Sequence, residues 1–598
     1  MENQLPSTTQ VDNEMSIGEK YPELSLNTPD IEIATQAKKW EDSGKKLNTR
    51  METKWKKSEN YWKGKQYFEY SIPDDDQELM DNRIFSGFET FLPILTRQDP
   101  QPYVTGNGTD QGKQVAIKVG KHLQFLTDQL KIKLKLNQGA RYWGMYYLGV
   151  ATLEWNKEKN SIGVRIVLPE KLLLDDEATI EEGEYKGRFI GEYMKNTAKK
   201  LIELFPKHKE FLMKEVSDEE NTEITYIQWS TPEMMFWQYK GKILDKIKNP
   251  HFNYETTQMA YNNFGVPTET VMPALNHFEN LRMPYVFLSV YNLGKGVYDV
   301  TSFIEQSIAQ QDVVNKRMRQ IDKNVDNQNN SIVFYGIDQQ RASSAGRAMR
   351  SGGNVGMPTQ GKVERVGGTP LPSDVYNDLT NNKLSIDSMF ATNAVTRGEP
   401  NRENTVRGKI IAKSSDESRI GFLAGYLEQF LDDMYNWMVQ FMYVYYDEQF
   451  SATVIGADKQ EEVVMIQKGD FVNAGKLLVS VKEGSMIPKD PLTQRNEAID
   501  LYGMGALDIR TLLEKLDYEN PIEVAKRVVL SKADPVLYLR EVLGVELPQP
   551  QMPAGVEGGM PPEGAPPMGA PPMPTNAVDP MQNAVPQNPD VLSQVPIQ

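Results

Sequence analysis

The chain has 598 residues, 39% hydrophobic and 25% charged, with 9% aromatics and a net charge of −16; this is the make-up of a globular protein of roughly four domain-sized units at about 150 residues each. No cysteine is present, which excludes disulfides, thiolate catalysis and cysteine-bound zinc or iron–sulfur centres. The four histidines, His122, His208, His251 and His277, fall in no H-x-x-x-H or HExxH spacing, and the acidic balance argues against a protein that coats nucleic acid through clustered Lys and Arg.

Residues 1–34 are polar, carry Pro6, Pro22 and Pro29 and show no periodicity, so an unpacked arm is expected there. Met1 to Glu19 are polar and acidic where a secretion signal would have a basic and then an apolar region, so secretion by that route is not expected. From Gln36 the spacing of Trp40, Leu47, Met51, Trp55 and Trp62 predicts a helix with one buried stripe. A second helical stretch covers 110–139, followed by an aromatic group from Tyr142 to Tyr147 that reads as core. Val150–Trp155 and Ile162–Val167 flank the polar turn 156–160 and predict a hairpin. Further β-like runs at 188–193, 224–229 and 234–239 make residues 150–290 a mixed α+β region.

Ser302-Phe-Ile-Glu305 has the form of a capping box, and Ile304, Ile308, Val314, Met318, Ile321 and Val325 follow the helical period to about residue 330. Residues 331–372 then switch to a strand at 332–335, a Gly/Ser/Arg-rich loop and a strand at 362–366. Ser373 is expected to cap a returning helix with Val375, Leu379, Ile386 and Phe390 inward. Gly398 and Pro400 break it. A long helix over 408–446 follows, with Ile420, Leu423, Leu427, Leu431, Met434, Met438, Phe441 and Tyr445 as its stripe, about 58 Å at 1.5 Å per residue. Its length suggests that it crosses a larger assembly or bends. Gln440 inside its most apolar part, after Asp432 and Asp433, argues against a membrane span. A strand at 476–481 and short helices over 494–533 complete the ordered chain. Residues 547–598 hold 14 of the 36 prolines and no aromatic, Lys or Arg, the composition of a disordered tail.

The chemistry motifs are thin. Gly356-Met-Pro-Thr-Gln-Gly361-Lys362-Val363 matches G-x-x-x-x-G-K, but valine stands where a phosphate loop places the Ser or Thr that holds magnesium, and a strand pattern follows instead of a helix. Asp74-Asp75-Asp76 and Asp175-Asp176-Glu177 read as solvated turns. No nucleophile context such as G-x-S-x-G occurs, so neither catalysis, a metal nor a cofactor is expected. Two segments run against the global charge: 331–372 with Arg341, Arg347, Arg350, Lys362 and Arg365 against Asp338 and Glu364, and 396–413 with Arg397, Arg402, Arg407, Lys409 and Lys413 against Glu399 and Glu403. They bracket the helix 373–395.

This order of elements resembles that of a tailed-bacteriophage portal protein, the head-to-tail connector. Tyr61-Trp-Lys-Gly-Lys-Gln66 resembles the entry of portal N-terminal regions. Tyr147–Trp155 with Val167-Leu-Pro-Glu170 and Leu174-Asp175 resembles the family's first wing hairpin. Gln311-Asp-Val-Val-Asn315 and Thr396-Arg-Gly-Glu399 resemble its stem helix and the turn before its long helix. The resemblance spans roughly residues 36–535. It implies an α+β portal-type fold: wing 35–298, stem helices 299–330 and 373–395, clip 331–372, tunnel loop 396–407, crossing helix 408–446, wing strands 447–493 and a crown at 494–546. It further implies a homo-oligomeric ring of about twelve subunits at one capsid vertex of the virion. The partners would be the terminase large subunit, which uses the ATP, head–tail adaptor and tail proteins, and the major capsid and scaffolding proteins. Double-stranded DNA would pass without sequence specificity, and no membrane would be involved. Arg341, Arg347, Arg350, Lys362 and Arg365 would then face terminase or adaptor, while Arg397, Arg402, Arg407, Lys409 and Lys413 would face DNA. Salt bridges to Glu399, Glu403 or a neighbouring subunit are the alternative for these arginines. The rival classes are another helical virion scaffold or adaptor and an enzyme acting on nucleic acid.

Overall fold

The computed structural model describes residues 24–67, 79–181, 183–215, 222–261, 267–272, 274–329, 332–335, 363–366, 370–392, 406–447, 450–455, 461–472, 474, 476–482, 491–516, 518 and 520–542. They form a mixed α+β protein. In chain order the elements are α1 (Asp30–Trp62), α2 (Arg83–Leu95), β1 (Pro102–Thr105), α3 (Asp110–Gln129), α4 (Ile132–Tyr146), β2 (Gly149–Asn156), β3 (Ser161–Val167), β4 (Leu172–Leu174), β5 (Thr179–Glu181), β6 (Glu184–Lys186) and β7 (Ile190–Thr197). After α5 (Ala198–Leu204) and α6 (Lys209–Glu215) come β8 (Glu223–Ser230), β9 (Met234–Tyr239), β10 (Lys242–Lys248), β11 (Thr256–Tyr261), β12 (Pro267–Met272) and β13 (Tyr285–Leu288). Then follow α7 (Phe303–Asn329), β14 (Ile332–Tyr335), β15 (Val363–Val366), α8 (Ser373–Met389), α9 (Val406–Tyr445), β16 (Phe450–Ile455), β17 (Glu461–Ile466), α10 (Lys468–Val472), β18 (Leu478–Val481), α11 (Pro491–Gly503), α12 (Ile509–Lys515), α13 (Pro521–Ala533) and α14 (Pro535–Glu541). The chain divides into two compact units, 1–522 and 523–598. The second holds most of α13 and α14. No described helix is long and apolar enough to cross a membrane.

The first helix starts earlier than its stripe suggests. Pro29 precedes it, Asp30 and Glu32 sit in its first turn, where negative charge complements the helix dipole, and Ile33 and Ala37 extend the buried stripe N-terminally. With Leu24 and Trp40 they pack on Phe189, Trp229 and Phe236. The Trp40 and Phe189 rings stack at 4.6 Å. The expected arm therefore gives way to packed chain at Leu24. The helical stretch 110–139 is also two elements rather than one, because Lys131 adopts a left-handed φ of 52° between α3 and α4.

β2 and β3 pair as the predicted hairpin, with Asn160 at φ 48° in the turn, and β13 adds to the other side of β2. Gly149 opens β2 because a Cβ there would lie 2.5 Å from the Gly139 carbonyl oxygen of α4. A five-stranded antiparallel sheet runs in the order β10-β9-β8-β7-β4, and short pairs β1-β18, β5-β6, β11-β12, β14-β15 and β16-β17 surround it in sequence. The largest core joins α1 to α4, β2, β3 and α9. α9 is 40 residues long, about 60 Å. From Met434 to Tyr443 all but one residue is buried, so this stretch is enclosed on every side, whereas between Arg419 and Leu427 a one-sided stripe persists, with Phe422 exposed. An all-round apolar helix belongs in the middle of a core.

Candidate functional site

α7 and α8 form an antiparallel arm. Ser307 of α7 lies 3.5 Å from the Met389 sulfur near the end of α8, while Arg317 Nε donates to Asp378 Oδ2 at 2.6 Å farther along. Three residues past α7, β14 begins and pairs with β15 in the register Ile332↔Val366 to Tyr335↔Val363, so a strand pair ties together the chain ends that leave and re-enter the arm. Burial falls along it. Ile304, Val314, Ile386 and Phe390 near the base are fully buried, whereas Val325 and Tyr376 farther out are exposed. Val375 and Leu379, expected inward, are half-buried. At the start of α7 only half of the expected capping box forms: Ser302 Oγ accepts from the Glu305 N–H at 3.2 Å. The Glu305 carboxylate instead takes the Thr301 hydroxyl at 3.3 Å and Lys54 of α1 at 2.9 Å. Ser373 is the first residue of α8 rather than its cap, since Pro372 holds that place.

The base of the arm is fastened by a buried polar clasp in which the two segments Tyr61–Gln66 and Gln311–Asn315 meet. The Tyr61 hydroxyl donates to Asp312, and Asn315 Nδ2 donates to Gln66 Oε1 at 2.6 Å. Gln66 Nε2 in turn donates to the Tyr61 carbonyl at 3.1 Å and to Asn82 Oδ1 at 3.0 Å. Asn82 also caps α2 through the Phe85 N–H and donates to the Tyr61 and Trp62 carbonyls. Gln311 Oε1 accepts the Arg83 N–H at 3.0 Å, while its Nε2 donates to the Asp81 carbonyl at 2.7 Å and to Asn315 Oδ1 at 3.0 Å. Around this sit Asp81 with Arg83 and Lys383, at 3.0 and 2.8 Å, and Arg83 with buried Asp387 at 4.0 Å. Burial opposes the charge of Asp81, but Lys383 and Arg83 prevail and hold its carboxyl below the ordinary range. Gln66, Gln311 and Asn315 are all but inaccessible, and a satisfied buried network fixes one geometry for its members. The sequence offers no sign of Asp81, Arg83, Lys383 or Asp387 in this role; only Asn82, a cap-type residue before an apolar helical run, carries a local signal.

Polar side chains in the C-terminal part of α9, and Tyr446 just past it, anchor the surrounding chain. Gln440 accepts from the His277 and Phe278 N–H groups at 2.7 and 3.2 Å and donates to the His251 carbonyl and Asn276 Oδ1 at 2.8 and 3.0 Å. His122 shares a hydrogen bond with the Tyr446 hydroxyl at 2.8 Å, His251 with Tyr445 at 3.0 Å and His277 with Asn436 at 2.7 Å. Burial pushes His122 down to about 4 and His251 to about 3, and lowers His277 against the opposing Asn436 bond. All three are neutral core groups at pH 7. In the acidic run Asp175-Asp176-Glu177, Asp176 and Glu177 are exposed as expected of a solvated turn, but Asp175 is not. Asp175 is buried and accepts two hydrogen bonds from the Arg188 guanidinium, at 2.6 and 2.5 Å, because the turn before β7 carries Arg188 back against it. The other acidic run, Asp74 to Asp76, lies outside the described residues, as does the Gly356–Lys362 motif.

Of the basic residues singled out by sequence, Arg341, Arg347, Arg350, Lys362, Arg397 and Arg402 lie outside the described residues. Arg365 falls on β15 opposite Val333. Lys409 and Lys413 fall in the first turns of α9, and so does Arg407, which was expected in a loop: the helix begins at Val406. No protein-family model matches the chain, and no characterised protein matches it in sequence.

Proposed function

We propose that this protein is the portal of a tailed bacteriophage: a ring, of about twelve copies, that sits at one capsid vertex, passes double-stranded DNA during packaging and ejection, and offers a docking face to the terminase large subunit and then to head–tail adaptor and tail proteins. The observation that carries this reading is the arm. An antiparallel helix pair joined at one end by the β14-β15 strand pair, locked at the other by the clasp to α1 and α2, and followed in sequence by the 40-residue α9 is what supports reading these elements as stem, clip and crossing helix. The exposed Val325 and Tyr376 on the outer part of the arm suit side-by-side packing of such arms in a ring, since apolar side chains left in water gain from burial. The segment 331–372 would face terminase and adaptor with Arg341, Arg347, Arg350, Lys362 and Arg365. Arg397, Arg402, Arg407, Lys409 and Lys413 would meet the DNA backbone without reading sequence. The remaining acidic surface keeps the DNA from adhering along the bore.

Negative-stain imaging and mass measurement of the purified chain test the proposal. Rings with a central hole are expected. A field of monomers or filaments under every ionic condition tried refutes it.

A further inference from the structure

The segment Phe278–Met283, the β5-β6 hairpin, β13 and α9 enclose a cavity of about 450 Å³. The hairpin turns over α9 at Gly183, at φ +81°, where a Cβ would meet the Gln429 side chain at 2.8 Å and lie 3.6 Å from Asp433 Oδ2. A neighbouring hollow of about 280 Å³ shares Phe278, Asn280, Arg282 and Asp433 with it. Charges on the wall are paired with one exception. Asp175 holds Arg188, which also reaches Glu177 at 3.3 Å, and Glu184 bridges Lys186 and Arg282, the latter at 3.2 Å. Asp433, half-buried on α9, makes no hydrogen bond or ion pair with any described residue. Trp437 lies one turn further along the same helix, and Phe278, Tyr185 and Phe287 supply the other apolar walls.

We propose that this cavity binds a small organic cation, an ammonium or guanidinium group whose charge pairs with Asp433 and whose alkyl stem lies against Trp437 and Phe278. A carboxylate withdrawn from water without a partner is unfavourable, and a cation supplies the missing partner. Aromatic faces add to the attraction, and the volume lies within the usual range for small-ligand sites, about 300–1,000 Å³. Arg282 does not fill this role: its guanidinium stacks 4.8 Å over Phe278 and turns to Glu184. The cation arrives either as a free amine or as a Lys or Arg side chain of another protein.

Burial raises Asp433 to about 7; Arg282 opposes the rise, and Asp432 and Glu184 add to it. The other charged groups around it are Asp175, Glu177, Lys186 and Arg188 on the wall and His277, Glu279 and Lys476 at the adjoining hollow; burial lowers His277, and neighbouring Asp432, which burial raises to about 6, gains negative charge in the same direction as pH rises. Cation affinity therefore follows ionisation of Asp433 and tightens as pH rises through 7.

Calorimetric titration of the full chain at about 0.15 M salt, where surface attraction is screened, tests this with putrescine, agmatine and an end-blocked Gly-Gly-Arg-Gly-Gly peptide. One saturable site is expected, about tenfold tighter at pH 8 than at pH 6, and weakened at least about tenfold in Asp433→Asn. Binding of the free amines alone assigns a free ligand; tighter binding of the peptide assigns a partner's side chain. No saturable binding of any of the three up to about 10 mM, or an affinity equal at the two pH values, overturns the proposal. The pH comparison uses the unaltered protein and so stands even if Asp433→Asn fails to fold. Ring formation plays no part in this readout.

Discussion

Replacing Asn315 by leucine tests whether the clasp fixes the arm. Leucine is close in size, so packing changes little, but the Asn315 amide leaves behind two buried atoms: Gln66 Oε1, which loses its donor at 2.6 Å, and the Gln311 Nε2 hydrogen that pointed at Asn315 Oδ1 at 3.0 Å. Orphaning a buried polar group costs about 1–3 kcal/mol, so the local loss is about 2–6 kcal/mol. Because the chain forms more than one compact unit, a single unfolding free energy is ill-defined, and amide hydrogen exchange is the better assay. At about 1.4 kcal/mol per tenfold, amides of α7 between Phe303 and Asn315 should exchange at least about 30-fold faster than in the unaltered protein, while those of the β7-β8-β9 sheet stay unchanged. The double replacement Gln66→Leu with Asn315→Leu removes donor and acceptor together and should recover part of the protection, since matched apolar partners are nearly neutral. Protection of α7 within about threefold of the unaltered protein in the single variant would refute the clasp as the fastening of the arm.

Three further outcomes are expected. Asp175→Asn leaves the Arg188 guanidinium with the exposed Glu177 as its charged partner and should cost about 3 kcal/mol, the lower end for a broken buried pair because Arg188 is partly exposed and keeps Glu177; an unchanged melting temperature would mean the pair contributes no net stability. His122 and His251, at about 4 and 3 when folded against 6.5 ordinarily, take up protons in the unfolded chain first, so stability drains away as pH falls from about 6.5 toward 4. Asp432 and Asp433, at about 6 and 7 against 3.8, do the reverse and cost stability as pH rises from about 4 to 7. Hence His122→Gln should gain in melting temperature relative to the unaltered protein at pH 5 more than at pH 8, and Asp433→Asn at pH 8 more than at pH 4; the opposite ordering in scanning calorimetry would contradict these assignments. Under the portal proposal, Arg397→Ala with Arg402→Ala should leave rings and procapsids intact but shorten the DNA packaged or retained, as read by pulsed-field gels; full-length, stably held genomes would favour the salt-bridge alternative.

Local pattern by itself determined a large part of this protein. The seven- and four-residue spacing of Trp40, Leu47, Met51 and Trp55 placed the first helix and its buried face, alternation with a polar turn placed the β2-β3 hairpin, and a shift in period after residue 330 placed the strands that meet at the end of the arm. These signals are local because a helix repeats every 3.6 residues and a strand every two. Tertiary structure decided the rest. Gln66 and Asn315 are 249 residues apart, and nothing local says that one will satisfy the other. Asp175 among two other acids looks like a solvated turn until Arg188 is folded back upon it. The stripe from Ile420 to Tyr445 reads as one face of a rod, yet from Met434 to Tyr443 elements distant in sequence close around the helix, since what covers the remaining faces depends on partners far away in sequence. The start of α1 at Asp30 and the break at Lys131 were likewise fixed by packing and a single left-handed residue, features that helical periodicity averages over.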